Sequence, residues 1–405
     1  FWAALRSATR LDLRIISAEE EAYYGYLGAI NALPLTDGFI FDTGGGSTQV
    51  VAVRERLLRR SFSVQAGVLR FSERYVRSDP ISKRELRNLR AGARAAFANL
   101  DWFSGDAGLQ LSGMGGTVRT LARMDMKQRN YPLDRVHGYV LSRAAIAGVI
   151  EALAPRTHRE RAAVPGLKDD RADVTLAGAV IIDALMERSG FSELTVSGQG
   201  VREGLFCAHF LQGADPPLLD DPRTFSILNL ARLSQYEATH AERVATLALS
   251  LFDQLAPLHL YGAWERELLR YAALLHDIGV QVGYYDHHKH SAYLVLNSTL
   301  LGFTHREIVM LAALVRNHRK GFSTLDEYAQ VLQTGDEQRI ARLSAMLRIA
   351  EYLERSKSQV VHDVQVELGE QIRITACSIG DTTVEIWDAN RRSGLLAKAF
   401  GRPVM

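Results

Sequence analysis

Asp42-Thr43-Gly44-Gly45-Gly46-Ser47-Thr48-Gln49 sets a carboxylate, three glycines and two hydroxyls between the apolar runs Gly38-Phe39-Ile40-Phe41 and Val50-Val51-Ala52-Val53. Both runs are rich in β-branched or aromatic residues and too short for a helix, so the segment reads as strand, loop, strand. Glycines at the bend let the backbone reach positive φ and approach a ligand closely, so that successive N–H groups and the hydroxyls can face phosphate oxygens. Asp42, at the strand end, is a candidate metal ligand, directly or through water. A P-loop needs a lysine and a helix after its glycines, and a dinucleotide fingerprint needs a following helix, so neither describes this loop. A tight glycine turn in a β protein is the alternative that the loop alone leaves open.

At 405 residues the chain exceeds one ordinary core, and two or three domains are expected. A 47% apolar and 23% charged composition is that of a globular protein, and a net charge of +2 offers no basic arm for nucleic acid. Cys207 and Cys377 lie far apart, with no metal-ligand spacing or disulfide framework, which suits a reducing cytoplasm. No apolar run spans a membrane, and no signal peptide is recognisable. Phe1-Trp2-Ala3-Ala4-Leu5 reads as mid-helix, so the chain is expected to begin inside a domain.

Leu11 to Ile16 alternates like a strand and runs into Ser17-Ala18-Glu19-Glu20-Glu21. Ser17 with Glu20 makes a capping box, which gives Glu20 a local duty and leaves Glu21 the freer carboxylate for a general base. All three acids equally complement a helix dipole. Arg60 to Val64 predicts a third strand, followed by helices over about 67–77 and 82–100. The strand-to-glycine pattern then recurs twice, at Leu109 to Ser112 before Gly113-Met114-Gly115-Gly116-Thr117 and at Leu194 to Ser197 before Gly198-Gln199-Gly200. Three such junctions suggest loops converging on one phosphate-bearing ligand, with Arg119 and Arg202 placed to meet anionic oxygens or simply solvated on their helices.

Ile16-Ser17-x-x-Glu20-Glu21-Ala22, Asp42-x-Gly44-Gly45-Gly46-Ser47-Thr48, Gly115-Gly116-Thr117-x-Arg119, Gly166-Leu167 with Arg171-Ala172-Asp173, and Arg202-Glu203-Gly204 stand in this order. Together they resemble the exopolyphosphatase and guanosine pentaphosphate phosphohydrolase family. That resemblance implies an α/β, actin-like (ribonuclease H-like) ATPase-superfamily domain over 1–213. It further implies polyphosphate or guanosine pentaphosphate as substrate, Mg²⁺ as cofactor and a homodimer. By position, Glu21 would be the catalytic base and Asp42 the metal-associated carboxylate. Gly44, Gly45, Gly46 and Ser47 would cradle phosphate with Gly115, Gly116, Thr117, Arg119 and Arg202. Two departures stand out. Gln49 occupies a position where the family usually has glutamate, and the family's first phosphate loop, normally upstream, is missing, which suggests a truncated chain.

Prolines and acids between Asp215 and Pro222 mark a boundary. Beyond it, residues 225–356 carry helical patterns and most of the histidines. His240 with the doublet His276-Asp277 resembles the ligand set of the HD superfamily of metal-dependent phosphohydrolases. His290-Ser291-Ala292-Tyr293, Gly302-Phe303 and His318-Arg319-Lys320 match the helical third domain of longer exopolyphosphatases. Imidazole and carboxylate suit a divalent transition ion, and the superfamily's closing aspartate is Glu351 here. Hydrolysis, metal binding without turnover, and hydrogen-bonded core histidines all remain open. Residues 359–405 read as a small α/β domain, with strands at Val364 to Leu368, Ile372 to Ala376 and Thr383 to Ile386 and a helix opening at Arg391-Arg392. Three functions follow: the phosphatase, a hydrolase centred on the histidines, and a non-catalytic sensor of the same polyanions.

Overall fold

The structure, a computed structural model, describes residues 2–9, 13–319 and 324–405. It divides into two compact units, Phe1–Tyr131 with Arg135–Asp220, and Asp221–Met405 with Pro132–Asp134. Among the described residues no helix is long and apolar enough to cross a membrane.

The first unit opens with α1 (Trp2–Thr9) and α2 (Ala18–Ile30). Next come the strands β1 (Gly38–Thr43), β2 (Thr48–Arg54) and β3 (Leu57–Val64), then α3 (Val68–Tyr75), α4 (Lys83–Phe97), β4 (Gln110–Met114) and α5 (Gly116–Gln128). The remainder is β5 (Val140–Ser142), α6 (Arg143–Leu153), α7 (His158–Ala162), α8 (Thr175–Ser189), β6 (Glu193–Val196) and α9 (Val201–Phe210). The strands make one six-stranded sheet in the order β3-β2-β1-β4-β6-β5. β1 runs antiparallel to β2 and parallel to β4, and β4 is parallel to β6. Side chains alternate along β1, so Phe39 and Phe41 enter one hydrophobic cluster while Ile40 enters another on the opposite face. Helices therefore cover both faces, and the parallel strands β1, β4 and β6 end together at the glycine junctions.

Ser17 caps α2 as expected. Its hydroxyl accepts from Glu20 N at 3.2 Å and its amide donates to Glu20 Oε2 at 2.8 Å. The strand expected over Leu11 to Ile16 does not form among the described residues 13–16, where Ile15 is 77% exposed; Leu11 and Asp12 lie outside the described residues. Alternation there has no neighbouring strand to pair with, and an unpaired strand has no ladder of hydrogen bonds to hold it. β5 was not expected, being only three residues long.

The second unit contains α10 (Pro222–Leu233), α11 (Ala238–Gln254), α12 (Ala256–His259), α13 (Ala263–Leu275), α14 (His287–Asn297), α15 (His305–Asn317) and α16 (Asp336–Leu353). A hairpin of β7 (Val361–Leu368) and β8 (Ile372–Ser378) follows, then α17 (Thr383–Arg392) and α18 (Gly394–Phe400). Val361, Val364, Ile372, Ala389 and Leu396 join the hydrophobic cluster of the helices, so the tail packs into this unit rather than standing apart. Thr383 to Ile386 is the start of a helix, not a third strand; Arg391-Arg392 closes that helix, and the helix expected to run from there to near Phe400 opens instead at Gly394 and ends at Phe400. The helical turn buries Glu385 and Ala389, four residues apart on one face, whereas Val384, Ile386 and Trp387 stay exposed.

Candidate functional site

The β1–β2 bend, the β4–α5 junction and the segment before α8 enclose a cavity of about 310 Å³ that Asp42, Gly44, Gly45, Gly115, Gly116 and Arg171 help to line. Gly44 N donates to Ser47 O at 2.9 Å, which closes the bend. The carbonyls of Gly44 and Gly45 accept from the first amides of α3, Val68 N at 2.9 Å and Leu69 N at 3.0 Å. Gly45 N and Gly46 N have no acceptor among the described residues. At the second junction, Gly115 caps α5 without any side-chain bond and with φ of 93°, and Asp42 Oδ1 lies 2.5 Å from where a Cβ of residue 115 would stand. Only glycine meets both conditions. The first-turn amides of α5 thus face the cavity uncapped, a place where a helix end attracts anions.

The Arg171 guanidinium lies over Gly116, with Nη2 2.8 Å from the position of a Cβ there. Arg171 was legible only as part of a matched motif and carried no assigned role. Its place in the cavity depends on the packing of the loop before α8. Thr117 is buried, with its methyl group against Gly178 of α8. Thr48 likewise spends its hydroxyl on Ala66 O at 2.6 Å.

Glu21 in the first turn of α2 meets Gln49 of β2. Gln49 Nε2 donates to Glu21 Oε2 at 2.9 Å and to Ser47 Oγ at 3.0 Å, and Gln49 is the register partner of Asp42. Glu20, held by its cap and by Arg14 at 2.6 Å, points elsewhere. Burial and the nearby charge of Glu21 raise Asp42 to about 6, with Arg119 opposing. The amide of Gln49 adds no compensating charge. Asp42 and Glu21 supply hard oxygen donors in a place where negative charge is poorly solvated, which fits a Mg²⁺ ion.

Arg119 binds backbone rather than standing free, with Nε on Gly115 O at 3.2 Å and Nη1 on Gly198 O at 3.3 Å. It braces the second junction to the third. The third junction is spent on internal bonds. Gly198 N donates to His137 Nδ1 at 3.0 Å, Gln199 N to Ser197 Oγ at 3.1 Å and Gly200 N to Glu203 Oε2 at 2.8 Å. Two of the three junctions therefore present unused amides. Arg202 does not line the cavity; its side chain is 87% exposed beside Glu203 at 3.6 Å.

A second polar centre lies inside the helical unit. It gathers His240 from α11, His276 and Asp277 from the end of α13, His287 from the start of α14, His318 from the end of α15 and Glu351 from α16. His240, His276 and Asp277 offer ligand atoms within 4.8 Å of one another, and so do Asp277, His287 and His318. Burial, with the charge of His276, holds His318 down to about 3. At His276 the carboxylates of Asp277 and Glu351 outweigh burial and raise it to about 9. His287 and His318 were not singled out as ligands, because their spacing in sequence carries no pattern. Lys320 lies outside the described residues.

Comparison with known proteins agrees with the motif order. The guanosine-5'-triphosphate,3'-diphosphate pyrophosphatase of Aeromonas hydrophila subsp. hydrophila is 28% identical over 368 residues, covering 86% of this chain and 71% of that protein. The protein of the same name from Aeromonas salmonicida is 28% identical over 376 residues. Among solved structures, the Aquifex aeolicus member of the Ppx/GppA family is 27% identical, with a TM-score of 0.46 over 52% of this chain and 68% of that one. An exopolyphosphatase from Cytophaga hutchinsonii is 23% identical, with a TM-score of 0.47 over 52% and 69%. The family description "Ppx/GppA phosphatase family" matches residues 1–212, and "Ppx/GppA phosphatase, domain III" matches 223–387. On motifs, site and matched length together, the chain belongs to the Ppx/GppA phosphatase family.

Proposed function

We propose that the first unit hydrolyses the terminal phosphoanhydride of inorganic polyphosphate or guanosine pentaphosphate, with Mg²⁺ as cofactor and on an actin-like scaffold. The observation that carries this is the cavity lined by Asp42, Gly44, Gly45, Gly115, Gly116 and Arg171, with Glu21, held by Gln49, near enough to Asp42 for its charge to raise that carboxyl. Water attacks the terminal phosphorus, the anhydride P–O bond breaks, and orthophosphate leaves with a chain one phosphate shorter. Phosphoryl transfer asks the protein mainly for positioning and charge stabilisation. Gly45, Gly46, Gly116 and Thr117 donate backbone N–H groups to phosphate oxygens, and Arg171 adds a planar cation. Gln49 holds Glu21 Oε2, which leaves Glu21 Oε1 to take the proton from the attacking water. Asp42 would hold Mg²⁺, which when bound neutralises phosphate charge. The names of the Aeromonas relatives support the pentaphosphate, and that of the Cytophaga structure supports polyphosphate. The test is orthophosphate release from each substrate, with and without Mg²⁺. Release from neither would overturn the reading.

Arg171→Ala is expected to weaken polyphosphate binding about tenfold at low salt, the scale of one charge-assisted hydrogen bond, and to flatten its salt dependence. Arg202→Ala, which removes an exposed side chain outside the cavity, leaves binding within about twofold on the same scale. Filter-binding titrations at two salt concentrations compare the pair, and the reverse order would move the anion site towards α9.

Gln49→Glu places a carboxylate where an amide now donates to Glu21 at 2.9 Å. Two carboxylates at that distance repel unless a cation lies between them. The variant is therefore expected to lose activity at low Mg²⁺ and to recover it at high Mg²⁺, giving a steeper dependence than the parent. Superimposable curves would show that position 49 does not sense the metal.

A further inference from the structure

The β7–β8 hairpin leaves half of one edge open, and that half borders a cavity. In an antiparallel pair, alternate residues turn N–H and C=O together to the same side. Val364 and Val366 of β7 turn theirs away from β8, where Gln254 covers them, Nε2 donating to Val364 O at 2.7 Å and Oε1 accepting from Val366 N at 2.8 Å. Their register partners, Ala376 and Ile374, therefore turn outward on the opposite edge. Residues 403–405 cover the first part of that edge. Ile372 N donates to Pro403 O at 2.8 Å, Met405 N to Ile372 O at 2.9 Å and Ile374 N to Met405 O at 2.8 Å. The cover stops there, and Ile374 O, Ala376 N and Ala376 O have no partner among the described residues.

A cavity of about 250 Å³ lies against this open stretch. Ile374, Thr375 and Ala376 all line it. Side chains alternate between the faces of a strand, so a cavity that touches three consecutive residues meets the strand at its edge. Leu353 of α16, Ile386 and Ala389 of α17 and Met405 supply apolar walls, and no charged side chain lines it among the described residues. An apolar cavity of roughly 150 Å³ is enough for one benzene ring, so this one admits a fused bicycle and leaves anything attached to it at the mouth.

The open edge presents an acceptor, a donor and an acceptor in a row, all facing one way. Apolar walls with a few aimed polar groups are the usual setting for a flat heteroaromatic ligand. Adenine carries the matching row: N6–H donates, N1 accepts in the middle, and C2–H, a weak donor, meets the last carbonyl. Guanine and hypoxanthine set N1–H in the middle, donor against donor. Cytosine keeps the first two groups but turns its O2 against a carbonyl. We propose that the second unit binds the adenine ring of a nucleoside or nucleotide between β8, α16 and α17, read by the backbone of Ile374 and Ala376. The site shares no residue with the cleft of the first unit.

Equilibrium dialysis of labelled adenosine against the full chain is expected to show one saturable site. Adenosine has no phosphate for the cleft to hold, and Glu21→Gln should bind it as the parent does, which separates this result from the fate of the phosphatase. Inosine has the same shape with donor and acceptor exchanged at positions 6 and 1, and should compete at least about tenfold more weakly, the scale of a buried donor left unpaired. Ala376→Pro deletes the central N–H on a free edge, where proline is tolerated, and should weaken adenosine binding about tenfold or more with the far-ultraviolet dichroism unchanged. Ala389→Leu extends a side chain from α17 into the cavity and should abolish binding on a folded chain, so the outcome does not hang on the proline variant alone. No saturable binding of adenosine, or binding unmoved by Ala389→Leu, would overturn the site. Inosine competing as well as adenosine would overturn its reading by the strand edge.

Discussion

Glu21→Gln is expected to lower orthophosphate release at least about a hundredfold, the range for losing a general base, while polyphosphate binding changes little. The substituted amide keeps the shape of the side chain beside Gln49 but cannot accept the proton of the attacking water. Its neighbour provides the control. Glu20 is one residue away and equally acidic, yet its carboxylate closes the cap on Ser17 and pairs with Arg14. Glu20→Gln should therefore cost stability on the scale of a cap, about 1 kcal/mol, and leave turnover nearly intact. Steady-state rates and affinities for both variants decide the assignment. A crippled Glu20→Gln beside a mild Glu21→Gln would reverse it.

Gly204→Ala is expected to be among the most destabilising single-methyl additions in the first unit. α2 and α9 touch backbone to backbone, and a Cβ at residue 204 would stand 1.7 Å from Tyr24 O and 2.9 Å from Gly28 N. Alanine gains about 1 kcal/mol of helix propensity over glycine, but overpacking two main chains costs about 3 kcal/mol or more. The net loss, roughly 2 kcal/mol, should lower the melting temperature of this unit by about 5 °C. Because α2 carries Glu21, phosphate release should fall as well. Gly148→Ala on α6 meets nothing within 4 Å and should stabilise slightly. Equal melting temperatures for the two variants would show that α2 and α9 are free to separate.

The amino-acid sequence by itself determined the features whose causes are local. The strand, bend and strand around Asp42 follow from apolar runs flanking glycines, and the Ser17–Glu20 cap follows from a hydroxyl and a carboxylate three residues apart, which freed Glu21 for another partner. Order among several motifs pointed to the family. Tertiary structure decided everything that depends on distant residues meeting. Gln49 reaches Glu21 across 28 residues, which makes it a positioning partner as well as a missing charge. Arg171 enters the cavity while Arg202 stays outside, although it is Arg202 that follows a glycine junction in the sequence. The third junction looks like the other two in sequence, yet its amides are consumed by His137, Ser197 and Glu203. The histidine centre draws on five helices, so no spacing along the chain announces it. Thr383 to Ile386 alternates as a strand would, but burial of Glu385 and Ala389 on one helical face outweighs that pattern. A side chain's partner depends on which elements pack together, and local periodicity carries no information about that choice.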